Sequence, residues 1–270
     1  MNWQNIPRDD KTIKRAVIPK RGSFSFFDYS QVEPRLFGFY TAKLGDPTIA
    51  DWYREGRDVY VEIAARALGK DAADITPEER QDGKVWFLMS LYGAGPRKVA
   101  KELGIEYGPA REFYLAFHRG LPQIKNLSNP KPQNPKYMDR WAPGSIERIL
   151  ARRGYLKTLH GRHLHPPQYG EHKMLNTLIQ GSAADLMKAS LLRVDDWTRE
   201  AGIESRMVSV IHDEIIFDGP ESEIELLHEH VPPLMREERI TDVIPLDIDH
   251  EVSTTTWADK IEYDEWKEQS

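Results

Sequence analysis

Residues 207–218, MVSVIHDEIIFD, decide the fold because apolar residues lie on both sides of the polar tip His212-Asp213-Glu214. Two apolar runs around a short polar tip are typical of a β-hairpin. We therefore expect two antiparallel strands that carry the acids at their turn.

Another strand is predicted over residues 23–28, SFSFFD. Because side chains alternate between the faces of a strand, Phe24, Phe26 and Asp28 share one face. Asp28 then stands at the end of the strand, where a carboxylate can reach a cleft.

The middle of the chain has the pattern of helices. Residues 45–120 are mainly helical in pattern and include a helix with Thr76 at the N-cap and Pro77 at its first position. Helix is predicted again from about residue 144 and over 173–194. Four prolines indicate an irregular connection over 128–143.

The last third returns to mixed structure. Ile224, Leu227 and Val231 recur at helical spacing and predict an amphipathic helix. Residues 244–252 alternate between apolar and polar side chains, which predicts a strand with one wet face. Strands thus flank a long helical insertion, and the predicted fold class is α+β with an antiparallel sheet and flanking helices.

The composition bounds the function. With 270 residues, 40% of them hydrophobic, the chain can form one large or two small domains. Cysteine is absent, which excludes a disulfide framework, a thiolate zinc site and a cysteine nucleophile. No apolar run reaches membrane-spanning length and the start MNWQ has no signal-peptide layout, so we expect a cytoplasmic protein without a membrane partner.

The net charge of −6 conceals an uneven distribution. Residues 123–173 hold ten Lys/Arg against three Asp/Glu, whereas residues 213–270 hold four against eighteen. The basic segment is either solvated surface or a track for phosphates. The acidic end is interpreted as solvated exterior.

One helix face combines cations with an aromatic ring. Arg80, Lys84, Leu88 and Tyr92 follow each other at intervals of four, so they lie along one side of a helix. A triphosphate could run along the two cations while a base or sugar meets Tyr92. Taken alone, the pattern also suits an ordinary surface helix with a buried tyrosine.

Asp28 and Asp213 can meet only through the fold. At about 4 Å two carboxylates repel by about 4 kcal/mol at an effective dielectric constant near 20, and bound cations would remove this repulsion. Oxygen ligands favour Mg²⁺, or Mn²⁺ in its place, and a pair of metal ions suits displacement at phosphorus. For either aspartate alone, capping or a surface salt bridge is the more common role.

Six segments, in this order, resemble those of family A DNA polymerases, the DNA polymerase I type. Coverage runs from about residue 3 to 258. The segments are QNIP (4–7), DYSQVE (28–33), Arg80-x3-Lys84-x7-Tyr92-Gly93, GYLKTLHGR (154–162), Asn176-x3-QGSAAD (180–185) and IHDE (211–214).

The resemblance implies a template-directed DNA polymerase that adds dNTPs to a primer 3′-hydroxyl and releases pyrophosphate, in a bacterial or phage-infected cell. It implies a palm at approximately 1–40 and 160–270 and helical fingers at approximately 41–159. Two Mg²⁺ ions would be held by Asp28, Asp213 and the Tyr29 carbonyl. The catalytic candidates are Asp28, Asp213, Lys84 and Glu214; the dNTP candidates are Arg80, Lys84, Leu88, Tyr92, Glu33 and Gln31; the DNA candidates are His212, Gln180, Asn176, Arg162 and Tyr155.

Some positions depart from the family pattern. Leu88 stands where Phe or Tyr is usual, Pro34 replaces an aliphatic residue, and Tyr60 stands where many relatives have His. Arg8 lies one place earlier than the family's minor-groove arginine, so no role is transferred to it. A thumb and an exonuclease domain have no counterpart in the chain. The chain is then either one part of a split polymerase whose partner supplies the thumb, or a fragment, or a minimal enzyme. Met1 as a natural start favours the split enzyme.

Two other classes stay open at this point. A non-catalytic DNA-binding subunit could keep the fold, although it would have no need of both aspartates and both cations. A two-metal nuclease also needs carboxylates, but has no use for Arg80, Lys84 and Tyr92 on one helix. Zinc bound by His160, His163, His165 and His172 is a further alternative to a basic turn near the DNA backbone.

Overall fold

Two antiparallel sheets are present in the computed structural model, which describes residues 6, 11–92, 94–120, 146–167 and 173–270. The strands are Ser23–Tyr29 (β1), Leu156–Lys157 (β2), His163–Leu164 (β3), Arg206–Ile211 (β4), Glu214–Gly219 (β5), Ile248–Ser253 (β6) and Ile261–Glu262 (β7). Five strands form one sheet in the order β4-β5-β1-β6-β7, and β2 pairs with β3.

The helices surround and interrupt these strands in sequence. They are Thr12–Arg15 (α1), Val32–Lys43 (α2), Thr48–Arg54 (α3), Val59–Leu68 (α4), Pro77–Leu91 (α5), Pro96–Leu103 (α6), Tyr107–Gly120 (α7), Ile146–Arg153 (α8), Met174–Ala201 (α9), Ile224–Met235 (α10), Glu238–Thr241 (α11) and Tyr263–Gln269 (α12). The predicted α+β class with an antiparallel sheet and flanking helices is confirmed.

The chain divides into two compact units. The sheet unit comprises residues 1–32, 183–241 and 246–270, and the helical unit comprises residues 33–182 and 242–245. The division falls within α2 and α9. No helix in the described part of the chain has the length and apolar character needed to cross a membrane.

Strand β1 is the centre of the sheet unit, with β5 on one side and β6 on the other. Phe24 and Phe26 are buried on one face against Ile216 and Trp257. Phe27 points to the other face, where its ring packs edge-on against Phe217 with centroids 5.9 Å apart. The predicted alternation is therefore confirmed, and Asp28 continues the row of Phe24 and Phe26 at the end of the strand.

Two predicted helices are observed, one of them longer than predicted. Ile224, Leu227 and Val231 are buried on α10 as expected. Helix α9 continues past the predicted end at Val194 to Ala201. It stops where Gly202 adopts a left-handed φ of 63°, a conformation that glycine tolerates without strain.

The strand predicted from residue 244 begins only at Ile248, so its first half was wrong. Ile244 and Leu246 are buried as the alternation predicts. The backbone of residues 244–247 is not paired in a strand ladder, because arginine side chains bond to its carbonyls. Arg35 donates to Pro245 O, and Arg236 donates to Leu246 O at 3.1 Å. Proline also has no N–H to give to a ladder.

The helical unit packs α4 closely against α5. A Cβ at Gly83 would lie 2.9 Å from the carbonyl oxygen of Tyr60 and 3.0 Å from Cβ of Ala64, so this contact requires glycine. Helix α5 starts as predicted: Thr76 Oγ1 accepts from Glu79 N at 3.2 Å, and Glu79 Oε2 accepts from Thr76 N at 3.1 Å. This reciprocal pair is a capping box.

Several sequence-based predictions concern residues outside the described part of the chain. They are the segment around Gln4, Asn5, Pro7 and Arg8, the motif residue Gly93, the irregular connection predicted over 128–143, the proposed helix start at 144–145, and His172.

Candidate active site

The hairpin tip is fixed against the central strand of the sheet unit. Strand β4 ends at Ile211 and β5 begins at Glu214, so His212 and Asp213 form the turn, as predicted. His212 has a positive φ of 57°. The carbonyl of Asp213 accepts a hydrogen bond from Tyr29 N at 3.3 Å, which holds the turn beside the end of β1.

This arrangement brings Asp28 and Asp213 together. In the strand register Asp28 lies opposite Glu214 of β5 and Asp249 of β6. Asp28 and Asp213 are half-buried and line the same cavity, whose volume is about 460 Å³. The meeting of two residues far apart in sequence follows from β1 lying next to the hairpin.

The electrostatics of this pair are unfavourable in the absence of a cation. Burial, with repulsion from Asp213 and Glu214, raises the pKa of Asp28 to about 7. Burial also raises the pKa of Asp213. Oδ1 of Asp28 is buried and has no hydrogen-bond partner among the described residues. Two close carboxylates with an unsatisfied oxygen fit a hard divalent cation, which would supply the missing positive charge.

Glu214 is differently placed. Its Oε2 pairs with Lys260 Nζ at 2.7 Å, and the same ammonium pairs with Glu251. No sequence pattern pointed to Lys260, whereas Glu251 belongs to the predicted polar face of β6. Among the described residues, no group of three or more His, Asp or Glu is arranged to hold a metal ion, although Glu214 and Glu251 line the same cavity as the two aspartates.

Two further predicted residues adjoin this pair in sequence. The Tyr29 side chain is buried, and its hydroxyl contacts Ser190 Oγ at 2.6 Å and Met235 O at 2.5 Å. Only its backbone carbonyl is therefore left as a candidate ligand. Gln31 has a positive φ of 53° and is half-buried.

In the helical unit, the cations of α5 gather around Tyr60. The Arg80 guanidinium and the Lys84 ammonium each lie 5.5 Å from the centre of that ring. Asp58 caps α4 through Tyr60 N and Val61 N and also accepts from Arg80 Nε at 2.7 Å. Tyr60 was predicted only as a departure from the family pattern. Its ring packs against both Arg80 and Lys84, the two residues predicted to bind phosphate.

Tyr92 directly follows α5 and is 37% exposed, so it is not the buried tyrosine of an ordinary surface helix. Its hydroxyl donates to the Glu33 carboxylate, with distances of 2.9 and 3.0 Å to the two oxygens. Gln180 Nε2 donates to the same hydroxyl at 3.4 Å. Leu88 is half-buried on α5. The Tyr92 hydroxyl therefore joins Glu33 and Gln180, which were predicted from two other motifs.

The remaining predicted DNA contacts are dispersed. Arg162 Nη2 donates to the Gly181 carbonyl of α9 at 2.8 Å. Tyr155 stacks on His163 with ring centres 4.0 Å apart. Asn176 is half-buried on α9, and His212 is exposed at the hairpin tip. His163 and His165 lie near Tyr155, and the described residues around them include no three-ligand metal cluster.

Among solved structures, the chain is similar in fold to a polymerase domain. The POL domain of Pol1 from M. smegmatis, in a complex with DNA primer-template and dNTP, aligns with a TM-score of 0.76 at 24% identity. The alignment covers 96% of this chain and 45% of that one. This likeness shows the fold, and no thumb or exonuclease domain is evident among the described residues.

Comparison with known sequences gives relatives that include bacterial DNA polymerases I. DNA polymerase I of Geobacillus stearothermophilus is 29% identical over 263 residues, covering 96% of this chain and 29% of the relative. DNA polymerase I of Pseudomonas aeruginosa is 28% identical over 249 residues, covering 90% of this chain and 26% of the relative. The chain thus spans less than a third of the length of either relative.

The family profile described as DNA polymerase family A matches residues 1–259, nearly the whole sequence. Together with the order of the motifs and the fold, this match establishes the family. The chain belongs to DNA polymerase family A.

Proposed function

We propose that the chain is the catalytic core of a template-directed DNA polymerase, adding dNTPs to a primer 3′-hydroxyl with release of pyrophosphate. The observation that carries the proposal is the pair Asp28 and Asp213, which share one cavity at the end of the sheet in a member of this family. Such a pair has high energy without cations and therefore favours binding them.

Asp28 and Asp213 would hold two Mg²⁺ ions, with Mn²⁺ able to substitute, and the Tyr29 carbonyl would be a further ligand. When bound, the ions would supply acidification of the attacking hydroxyl and neutralisation of charge on the leaving group. The positions of Asp28 and Asp213 would set the positions of the ions, because both aspartates lie where the end of β1 meets the β4–β5 hairpin. Glu214 would act nearby through its charge.

Arg80 and Lys84 would bind the triphosphate. Both are held against the Tyr60 ring, so little side-chain freedom remains to be lost when a phosphate binds. Arg80 would exchange its exposed ion pair with Asp58 for a phosphate, at small cost because such pairs contribute little. Lys84 is the candidate that donates a proton to the leaving pyrophosphate.

The incoming sugar and base would be recognised by Glu33, Tyr92, Leu88 and Gln31. The Tyr92 hydroxyl fixes the Glu33 carboxylate through both of its oxygens. A carboxylate held in this way would crowd a ribose 2′-hydroxyl. Tyr92 itself would close over the nascent base pair.

Primer-template DNA is the proposed macromolecular partner, with His212, Gln180, Asn176, Arg162 and Tyr155 as its contacts. The basic segment 123–173 supports this assignment through its excess of positive charge. The M. smegmatis domain was solved with DNA primer-template and dNTP, which supports the same partners here.

We assign the palm to approximately 1–40 and 160–270 and the fingers to approximately 41–159, and we propose that a second polypeptide carries a thumb. Without the thumb, this chain alone would make fewer contacts to DNA phosphates, so it should bind primer-template weakly and yield short products. The measurement is product length against salt concentration, with and without a thumb-bearing chain. Long products from the isolated chain at moderate salt would contradict the need for a partner.

One assay separates this function from its alternatives. The purified chain is incubated with a labelled primer-template, Mg²⁺ and dNTPs, and the primer is resolved by length. Extension that follows the template is the expected result. Shortening of the primer would indicate a nuclease, and DNA binding without any change in length would indicate a non-catalytic subunit.

A further inference from the structure

The ammonium of Lys260 lies among the acids of the aspartate cavity. Its Nζ is 2.7 Å from Glu214 Oε2, also contacts Glu251 Oε2, and stands 4.9 Å from the centre of the Phe26 ring. The Lys260 side chain is 27% exposed. Lys260 follows the short 3-10 turn Trp257–Asp259 and directly precedes β7.

The charges lining the cavity are unbalanced without this lysine. Four carboxylates line it, those of Asp28, Asp213, Glu214 and Glu251. The other lining lysine, Lys14, has its Nζ 5.4 Å from the centre of the Trp257 ring. Lys260 forms ion pairs with both glutamates and with neither aspartate. The two glutamates therefore share a positive partner, whereas the two aspartates have none from this lysine.

The strand register makes this division necessary. Asp28 and Glu214 are directly opposite each other on β1 and β5, and opposite residues of an antiparallel pair project on the same face. A Glu214 side chain without a partner would therefore lie beside Asp28. It would offer a third carboxylate to any cation that Asp28 holds.

We propose that Lys260 is a positioning residue that withdraws Glu214 and Glu251 from the cation site, leaving Asp28 and Asp213 as its carboxylate ligands. This inference rests on the proposed function, in which the aspartate pair holds the metal ions. Lys260 touches no reacting group in this account. It sets the number and position of the ligands through the glutamates.

A purely structural salt bridge would give a different result. Removing Lys260 leaves two partly buried carboxylates unpaired, which destabilises the fold whatever the role of the lysine. The dependence of metal affinity on Glu214 separates the two cases, because a purely structural bridge gives no gain in affinity that requires the Glu214 carboxylate. Under the proposal, loss of the positive charge and release of Glu214 strengthen cation binding while the misplaced ions slow incorporation.

The test compares Lys260→Met, Lys260→Arg and the double variant Lys260→Met/Glu214→Gln with the unsubstituted chain. Lys267→Met is the matched control, since Lys267 pairs with Glu225 on an exposed surface. Mn²⁺ binding is measured by electron paramagnetic resonance without DNA or dNTP. Melting temperature and the kcat and KM of single-nucleotide incorporation are measured in parallel.

Lys260→Met is expected to bind Mn²⁺ more tightly by about threefold or more and to lower kcat by about tenfold. Lys260→Arg should stay near the unsubstituted chain, and Glu214→Gln in the Lys260→Met background should return Mn²⁺ affinity towards it. If Lys260→Met does not fold, Lys260→Met/Glu251→Gln carries the same expectation with one fewer unpaired carboxylate.

Unchanged or weaker Mn²⁺ binding by the folded variant would overturn the inference, as would a Glu214→Gln change without effect in that background. Failure of the proposed function has a separate signature. In that case the unsubstituted chain would incorporate no nucleotide, whatever the Mn²⁺ affinities are.

Discussion

At the scale of single residues, the candidate site is defined by carboxylates in unfavourable surroundings. Asp28 and Asp213 are half-buried beside each other, and Asp28 has a buried oxygen without a partner among the described residues. Glu33, by contrast, is satisfied by the Tyr92 hydroxyl. The Asp28–Asp213 pair therefore favours binding of a cation, whereas the hydrogen bond from Tyr92 holds the Glu33 carboxylate in a defined position.

The raised pKa of Asp28 leads to a stability prediction for the metal-free protein. A carboxyl with pKa about 7 when folded and 3.8 ordinarily contributes relative stability below pH 3.8, which is lost as pH rises through about 7. Asp28→Asn should therefore stabilise the metal-free chain at pH 8 by about 2 kcal/mol, less than the full shift because solvent screens the site.

This gain is measured by urea denaturation in EDTA at pH 8 and pH 5, and it should shrink at pH 5. Asp195→Asn, which removes an exposed ion pair with Arg199, is the control and should change little. A destabilised Asp28→Asn protein at pH 8 would show that the carboxylate is not in an unfavourable environment.

Glu33 leads to a selectivity prediction. Glu33→Ala should raise the use of ribonucleotides relative to deoxynucleotides by about tenfold, since the carboxylate that crowds the 2′ position is gone. Glu33→Gln keeps the size of the side chain and should stay closer to the original preference. Competition between rNTP and dNTP measures the ratio, and an unchanged ratio in Glu33→Ala would exclude Glu33 as the gate.

At the scale of elements, local signals were sufficient where local contacts decide the structure. The two apolar runs around residues 212–214 predicted the hairpin, and Thr76 with Pro77 predicted the start of α5. The start of β6 could not be predicted, because Arg35 and Arg236 occupy the carbonyls before it. The contact of Arg35 joins residues 210 positions apart in sequence, which no local pattern could predict.

Leu88 provides the prediction for α5, the helix that carries Arg80 and Lys84 and is directly followed by Tyr92. Leucine has neither a ring nor a hydroxyl, whereas the resemblance implies that a tyrosine here can substitute for a missing 3′-hydroxyl. Leu88→Tyr should therefore increase dideoxynucleotide incorporation relative to deoxynucleotide. Leu88→Phe, which adds the ring alone, is the matched control.

Leu88 is half-buried, so the added ring also tests packing. Overpacking would destabilise the protein by about 1 to 3 kcal/mol, seen as a lower melting temperature. A destabilised Leu88→Tyr protein with unchanged selectivity would assign Leu88 to packing alone.

At the scale of the whole molecule, the motifs predicted which residues matter but not all of their neighbours. The resemblance pointed to Asp28 and Asp213, and the sheet explains how they meet. No role was predicted for Lys260 or His250, since their environments arise from several strands and helices. His250 is buried with Nδ1 3.0 Å from Nδ1 of His228, and its ring stacks on Phe27.

His250 leads to a prediction for acid stability. Burial and the neighbouring His228 lower the pKa of His250 to about 3 from an ordinary 6.5. The stability that its neutral form contributes is present above pH 6.5 and is lost as pH falls through about 3. Between pH 7 and pH 4.5 this loss should reach about 2 kcal/mol.

His250→Leu should flatten the pH dependence by that amount, even if stacking is lost and the protein is less stable at pH 7. Asp264 and Lys267, which act on the paired His228, are unchanged in the variant. Urea denaturation across this range measures the difference, with the exposed His165→Leu as control. Parallel curves for His250→Leu and the unsubstituted chain would refute the prediction.

Single-nucleotide primer extension with Mg²⁺ shows whether Asp28 and Asp213 form the metal-binding pair of a DNA polymerase. Asp28→Asn and Asp213→Asn are compared with the unsubstituted chain and Asp195→Asn, after circular dichroism shows that all are folded. Template-directed incorporation is expected from the unsubstituted chain and from Asp195→Asn, with a loss of about a thousandfold or more in both site variants. Incorporation near the unsubstituted rate by either site variant would contradict the assignment of this pair.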